Sequence, residues 1–124
     1  MHPARRRILC VDEHDDTCFM LTALFGRKGY ETVPARDTTE ALSLAENARF
    51  DLYILDVRLP GGSGLELCVR LRRLDPAAHI IFYCGAAYER DRLVGLSLGA
   101  AAYITKPGIE ELTETVDGLL GGAA

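Results

Sequence analysis

The chain has 124 residues, of which 48% are hydrophobic and 26% are charged, and its formal net charge is −4 at pH 7. This composition is typical of one globular domain, and the negative charge argues against direct binding of nucleic acid, which needs a basic patch. The sequence has neither the roughly 20 consecutive apolar residues of a membrane span nor a signal peptide, so we expect a cytoplasmic domain without membrane contact.

Apolar and amphipathic segments alternate from the N-terminus onward. Residues 7–12 are predicted to form a buried strand. The amphipathic helix that follows, up to residue 28, places four apolar residues on one face: Met20, Leu21, Leu24 and Phe25. A short strand over 30–34 is expected at a sheet edge, because Pro34 cannot donate to a central ladder. A capping box at 37–40 then opens a second helix.

The same alternation continues through the second half of the chain. We predict strands at 50–57, 79–84 and 102–105, and helices at 65–74, at 89–98 and from 109 or 110 onward. An irregular glycine-rich loop is predicted at 58–64. This order predicts an α/β fold in which one doubly wound, five-stranded parallel sheet is covered by five helices. Residues 1–124 form one domain in this prediction, and 121–124 are either a frayed end or the start of a linker to an absent output domain.

Four of the predicted strands run directly into residues that can do chemistry. Those residues are Asp12-Glu13, Asp56, Cys84-Gly85 and Lys106-Pro107. In an open α/β sheet, ligands bind outside the carboxyl ends of the strands. The sequence therefore predicts one functional site at that edge of the sheet.

This ordered set of motifs resembles the receiver domain of bacterial response regulators, the CheY-like switch of two-component signalling. The matching motifs are Asp12-Glu13, Asp56 followed by Leu-Pro-Gly at 59–61, Gly99-Ala100, Tyr103 and Lys106-Pro107. The resemblance covers the whole chain and implies a flavodoxin-like sheet with strand order 2-1-3-4-5.

The resemblance implies that Asp56 accepts a phosphoryl group from a sensor histidine kinase or a phosphotransfer protein. A carboxylate can act as the nucleophile and form an acyl phosphate. Asp12 and Glu13 would hold Mg²⁺ with Asp56, because three acids around one point repel one another and hard oxygen ligands suit this ion. By analogy with the family, the backbone carbonyl of Arg58 completes the metal ligands. Lys106 would pair with Asp56 and later with a phosphoryl oxygen.

Three further positions lie around this predicted site. Similar receivers carry Thr or Ser at the switch position where this chain has Cys84, and a thiol is a weak donor, so we expect weaker switching but intact phosphorylation. A redox-active Cys84, activated by the nearby lysine, is the less favoured alternative to a buried small side chain. Tyr103 occupies the place of the aromatic residue that changes rotamer when similar receivers switch. His14, beside the acidic pair, is expected to be a solvated loop residue.

Two rival functions fail on local chemistry. A haloacid-dehalogenase-type phosphatase needs a second acid two residues after its nucleophile, where this chain has Arg58. A flavin-binding domain needs a phosphate loop after the first strand, where Asp12 and Glu13 would repel a phosphate. The remaining alternative is a receiver-like interaction module that works without phosphorylation, for which Cys84 is the sequence evidence.

We therefore predict a signalling switch rather than an enzyme, although the domain assists its own phosphorylation and dephosphorylation. The resemblance implies that the fourth helix, fifth strand and fifth helix form the face that changes. Such a face can dock an output domain or a second copy of the chain. The chain itself has no further helices for a DNA-binding output domain.

Overall fold

A computed structural model describes residues 5–86 and 88–121. The strands of its main sheet are β1 (Arg7–Val11), β2 (Glu31–Ala35), β3 (Leu52–Leu55), β4 (His79–Cys84) and β5 (Ala102–Thr105). The helices are α1 (Asp15–Arg27), α2 (Thr38–Asn47), α3 (Gly64–Leu74), α4 (Glu89–Ser97) and α5 (Ile109–Leu120). All neighbouring strands pair in parallel in the order β2-β1-β3-β4-β5, which confirms the predicted doubly wound fold.

The sheet separates two apolar layers because side chains along a strand alternate between its faces. In β1, Leu9 and Val11 pack on the side of α2 and α3, whereas Ile8 and Cys10 pack on the side of α1 and α5. Strands β1, β3 and β4 lie inside the sheet, which explains their nearly continuous apolar sequences. The core therefore fixes both faces of the sheet and leaves its carboxyl edge to carry polar residues.

The edge strand and the glycine-rich segment test two of the predictions. Strand β2 lies at the edge of the sheet and includes Pro34, as predicted. The segment 58–64 is not wholly irregular, because Arg58–Leu59 and Gly62–Ser63 pair as a short antiparallel hairpin. Gly61 has φ of 83°, a conformation that glycine adopts without steric cost, and this makes the tight turn possible. The glycines therefore belong to a hairpin, whereas the sequence predicts an irregular loop for this segment.

The buried face of helix α1 differs from the predicted face at Met20. Its buried residues are Cys18, Leu21 and Phe25, spaced by three and four positions. Met20, predicted to face inward, is 38% exposed. At the other end of the chain Gly121 caps α5, and residues 122–124 of the predicted terminal segment lie outside the described part. Among the described residues, no helix is both long enough and apolar enough to span a membrane.

A polar contact holds α5 to the connection between α1 and β2. The Tyr30 hydroxyl donates to Asp117 Oδ1 at 2.6 Å, and Lys28 Nζ lies 2.9 Å from Asp117 Oδ2. Partial burial raises the pKa of Asp117, but these two donors outweigh it and hold the pKa below its ordinary value. The charged carboxylate is therefore favoured in the folded state.

Replacement of Asp117 by asparagine is expected to lower the free energy of unfolding by about 1 kcal/mol at neutral pH. The effect is small because the side chain is 34% exposed. Since folding lowers this pKa, the contribution is present above the unfolded-state pKa and is lost as the pH falls through the folded-state pKa. Urea unfolding of the two proteins should show a smaller difference at about pH 3 than at neutral pH. An equal difference at both would contradict the assignment.

Candidate functional site

The carboxyl edge of the sheet brings Asp12, Asp56 and Lys106 into contact. Lys106 Nζ donates to Asp12 Oδ2 at 2.7 Å and to Asp56 Oδ2 at 3.3 Å. The Asp12 side chain is 4% exposed and that of Asp56 is 9% exposed. Two buried carboxylates thus share one ammonium group, although these residues lie far apart in the sequence.

Backbone hydrogen bonds extend the sheet one residue beyond the strand ends and fix these three positions. Asp12 N donates to Ala35 O at 2.9 Å, and Asp56 N donates to Val11 O at 3.0 Å. Lys106 N donates to Cys84 O at 2.7 Å. The peptide bond between Lys106 and Pro107 is cis. The functional side chains therefore start from a rigid backbone.

The charges at this edge do not balance. Burial by itself would lower the pKa of Lys106, but the carboxylates of Asp12 and Asp56 outweigh it and raise that pKa above its ordinary value. The lysine therefore stays positively charged at neutral pH. One positive charge facing two carboxylates leaves an excess of negative charge in a buried place, which favours a bound cation.

The structure gathers a donor group that differs from the predicted metal ligands. Donor atoms of Asp12, Asp56 and His14 lie within 4.8 Å of one another. Glu13 is exposed and, among the described residues, is not part of such a group, although it lines the adjacent cleft. Arg58 contributes its backbone N–H, which donates to Asp56 Oδ1 at 3.3 Å.

Sequence analysis missed the contact that His14 makes. Its backbone N–H donates to Asp12 Oδ1 at 2.9 Å, and its Nδ1 lies 2.9 Å from the same oxygen. An aspartate that accepts from the N–H two residues later forms a local turn, and this turn brings the ring back over the carboxylate. The two-residue spacing from Asp12 to His14 is the sequence feature that could have predicted this contact.

A cleft of about 330 Å³ opens beside the acidic residues. Asp56, Lys106 and Asp91 are among its lining residues. The guanidinium of Arg58 lies over the ring of Tyr88, 5.4 Å from the ring centroid. Asp56 is therefore buried among its neighbours but can be approached from this cleft.

Cys84 and Tyr103 also line this cleft. Cys84 is 3% exposed, and burial raises the pKa of its thiol to about 11, although the nearby Tyr103 hydroxyl opposes this rise. The thiol is therefore protonated at neutral pH, which argues against the redox alternative. The Tyr103 hydroxyl donates to Ala86 O at 3.2 Å, and its ring packs against Phe82 with the centroids 6.0 Å apart.

Comparison with known proteins identifies the family. Residues 8–117 match the family model of the response regulator receiver domain. The chain belongs to this family. The receiver domain is 38% identical over 102 residues to the alkaline phosphatase synthesis transcriptional regulatory protein PhoP of Bacillus subtilis, covering 82% of the chain and 42% of PhoP. It is 36% identical over 107 residues to the DNA-binding response regulator MtrA of Mycobacterium bovis, covering 86% of the chain and 46% of MtrA. It thus spans less than half of the length of either relative.

Solved structures agree with this assignment over nearly the whole receiver domain. A two-component response regulator from Clostridium difficile superposes with a TM-score of 0.89 at 26% identity, covering 94% of this chain and 97% of that one. The response regulator TrrA from Thermotoga maritima, in complex with Mg²⁺-BeF, gives a TM-score of 0.83 at 33% identity, covering 92% and 98%. Receiver domains are signalling switches that bind Mg²⁺ at an acidic pocket, and the described residues include such a pocket.

Proposed function

We propose that this receiver domain is a phosphorylation switch in which Asp56 accepts a phosphoryl group from a sensor histidine kinase or a phosphotransfer protein. The observation that carries the proposal is the buried pair Asp12 and Asp56 around Lys106, next to a cleft that leads to Asp56. Replacing a buried ion pair by apolar residues is often neutral or stabilising, so a function accounts for this group better than stability does. Family membership supplies the class of reaction.

The proposed reaction is an in-line transfer from a phosphohistidine. A carboxylate oxygen of Asp56 attacks the phosphorus, the phosphorus–nitrogen bond breaks, and its electron pair stays on the leaving imidazole. The product is an acyl phosphate on Asp56. Lys106 is within reach of Asp56 and retains its charge, so it can neutralise a phosphoryl oxygen without moving far.

The donor set fits Mg²⁺, because the buried carboxylates offer hard oxygen ligands and carry more negative charge than Lys106 can balance. In our proposal Asp12, Glu13, Asp56 and the backbone carbonyl of Arg58 hold the ion. When bound, Mg²⁺ would neutralise charge on the phosphoryl group. Asp12 also holds Lys106 at 2.7 Å, so it positions the lysine as well.

The switch itself is assigned to Cys84, Tyr103 and the surface formed by α4, β5 and α5. The Tyr103 side chain is partly buried and bonds to the loop after β4, so a change in this loop can alter its position. Apolar residues exposed on or next to α4 support docking of an output domain or a second copy at this surface: Tyr88, Leu93, Val94 and Leu96. All four cysteines are free, which fits a reducing cytoplasm.

Intact-mass analysis after exposure to a small phosphodonor tests this function. We expect the wild type to gain one phosphoryl group only with Mg²⁺ present, and the gain to be absent in Asp56→Asn. Asp91→Asn is the matched control, since it removes another acid of the same cleft and should leave the gain intact.

The second candidate is a receiver-like interaction module that needs no phosphorylation, favoured by the thiol at Cys84. It predicts that the folded wild type gains no phosphoryl group. It also predicts that a partner protein binds equally well to the wild type and to Asp56→Asn. Both results together would replace the phosphorylation switch by this module.

A further inference from the structure

The imidazole of His14 lies against a carboxylate that the proposed function assigns to the metal. His14 Nδ1 is 2.9 Å from Asp12 Oδ1. One donor atom from each of His14, Asp12 and Asp56 lies within 4.8 Å of the other two. His14 is the residue immediately before α1, yet its side chain makes no capping hydrogen bond to that helix. The ring is thus turned towards Asp12 of the acidic pocket.

The two oxygens of Asp12 have different neighbours. Lys106 occupies Oδ2, whereas His14 lies at Oδ1. A cation held by Oδ1 and the imidazole would therefore leave the ammonium contact in place. Ligand atoms bound to one tetrahedral zinc ion at about 2.0–2.1 Å are separated by about 3.3 Å. The 2.9 Å hydrogen-bond contact between His14 and Asp12 would therefore lengthen only slightly to admit the ion.

We propose that Asp12, His14 and Asp56 form a mixed nitrogen and oxygen site for a late first-row divalent ion such as Zn²⁺, which competes with Mg²⁺ for the pocket. Carboxylates and water suit Mg²⁺, whereas an imidazole adds affinity for Zn²⁺ and similar ions. This inference rests on the proposed function in that it uses the same pocket, and it adds a nitrogen ligand that would let such an ion inhibit phosphorylation.

Calorimetric titration of the full chain with Zn²⁺ and with Mg²⁺ tests the site. His14→Ala is expected to weaken Zn²⁺ binding by about tenfold to a hundredfold, and to change Mg²⁺ binding by less than about threefold. His79→Ala is the matched control, because it removes an exposed histidine at the first residue of β4 and should change neither affinity. If His14→Ala does not fold, His14→Asn replaces it, since asparagine is favoured before a helix.

Nuclear magnetic resonance of ¹⁵N-labelled histidine rings gives a direct readout. Zn²⁺ is expected to change the chemical shift of a ring nitrogen of His14 and to leave the chemical shifts of the His79 ring unchanged. The inference is overturned if the chemical shifts of the His14 ring do not change with Zn²⁺. It is also overturned if His14→Ala loses Zn²⁺ affinity and Mg²⁺ affinity equally. Zn²⁺ binding that is kept in His14→Ala but lost in Cys84→Ser would also overturn it. These measurements need no phosphodonor, so their result is independent of whether Asp56 is phosphorylated. The metal site can therefore be refuted while the proposed function stands, and the proposed function can be refuted while the metal site stands.

Discussion

Replacement of Lys106 by methionine is expected to slow phosphorylation of Asp56 by about a hundredfold, the usual effect of removing one group that stabilises charge in a transition state. Lys106 Nζ contacts both Asp12 and Asp56, and methionine has no charge to offer a phosphoryl oxygen. The rate is measured by following intact mass over time with a small phosphodonor and saturating Mg²⁺. Without the ion, the variant should also unfold more easily, because two buried carboxylates lose the cation that they share.

The chain contains one other lysine, which provides the control. Lys28 pairs with Asp117 at 2.9 Å and is not a lining residue of the cleft. The Lys28→Met variant should therefore be phosphorylated at the wild-type rate, even if its free energy of unfolding falls slightly. A Lys106→Met protein that is phosphorylated as fast as the wild type would remove the lysine from the proposed reaction.

Replacement of Gly64 by alanine is expected to lower the free energy of unfolding by about 2–4 kcal/mol. A Cβ atom at this position would lie 1.9 Å from the carbonyl oxygen of Asp56 and 3.1 Å from Val57 Cα. These are backbone atoms, so α3 must move away from the end of β3. Gly64 N also donates to Val57 O at 2.7 Å, which ties the same two segments together. Urea unfolding measures the loss.

Gly118 offers a matched substitution without the clash. It is exposed near the end of α5, and nothing lies within 4 Å of the position that its Cβ would take. Gly118→Ala is expected to stabilise the domain by about 0.5–1 kcal/mol, because alanine favours the helix. If the two alanine variants had equal stabilities, the close approach of Gly64 to Asp56 would not be the structural constraint described.

The sequence predicted the sheet edge well because a general rule applies there. Apolar runs that end at Asp12, Asp56 and Lys106 belong to parallel strands, and the carboxyl ends of such strands meet at one edge. How deeply the side chains of these three residues are buried could not be predicted in the same way. It depends on how far the chain continues the ladder beyond each strand, which the hydrogen bonds to Ala35, Val11 and Cys84 determine.

Local turns account for most of what the sequence did not predict. His14 contacts Asp12 because of a turn that no hydrophobic pattern predicts. Glu13, on the same turn, is exposed and lines the cleft. The hairpin at 58–63 was not predicted, because its glycines are equally typical of an irregular loop. In α1, Met20 and Cys18 are both compatible with an apolar face, and only packing against the sheet shows that Cys18 is buried.

Chemical mapping of the phosphorylated residue is the most direct test of the central claim. Borohydride reduces an acyl phosphate on aspartate to homoserine, so the modified position can be read from peptide masses. After treatment with a small phosphodonor and Mg²⁺, we predict homoserine at position 56, absent when Mg²⁺ is omitted. Homoserine at position 12 or 91 with Asp56 intact, or no homoserine in the folded and Mg²⁺-loaded protein, would contradict the assignment of Asp56 as the phosphoacceptor.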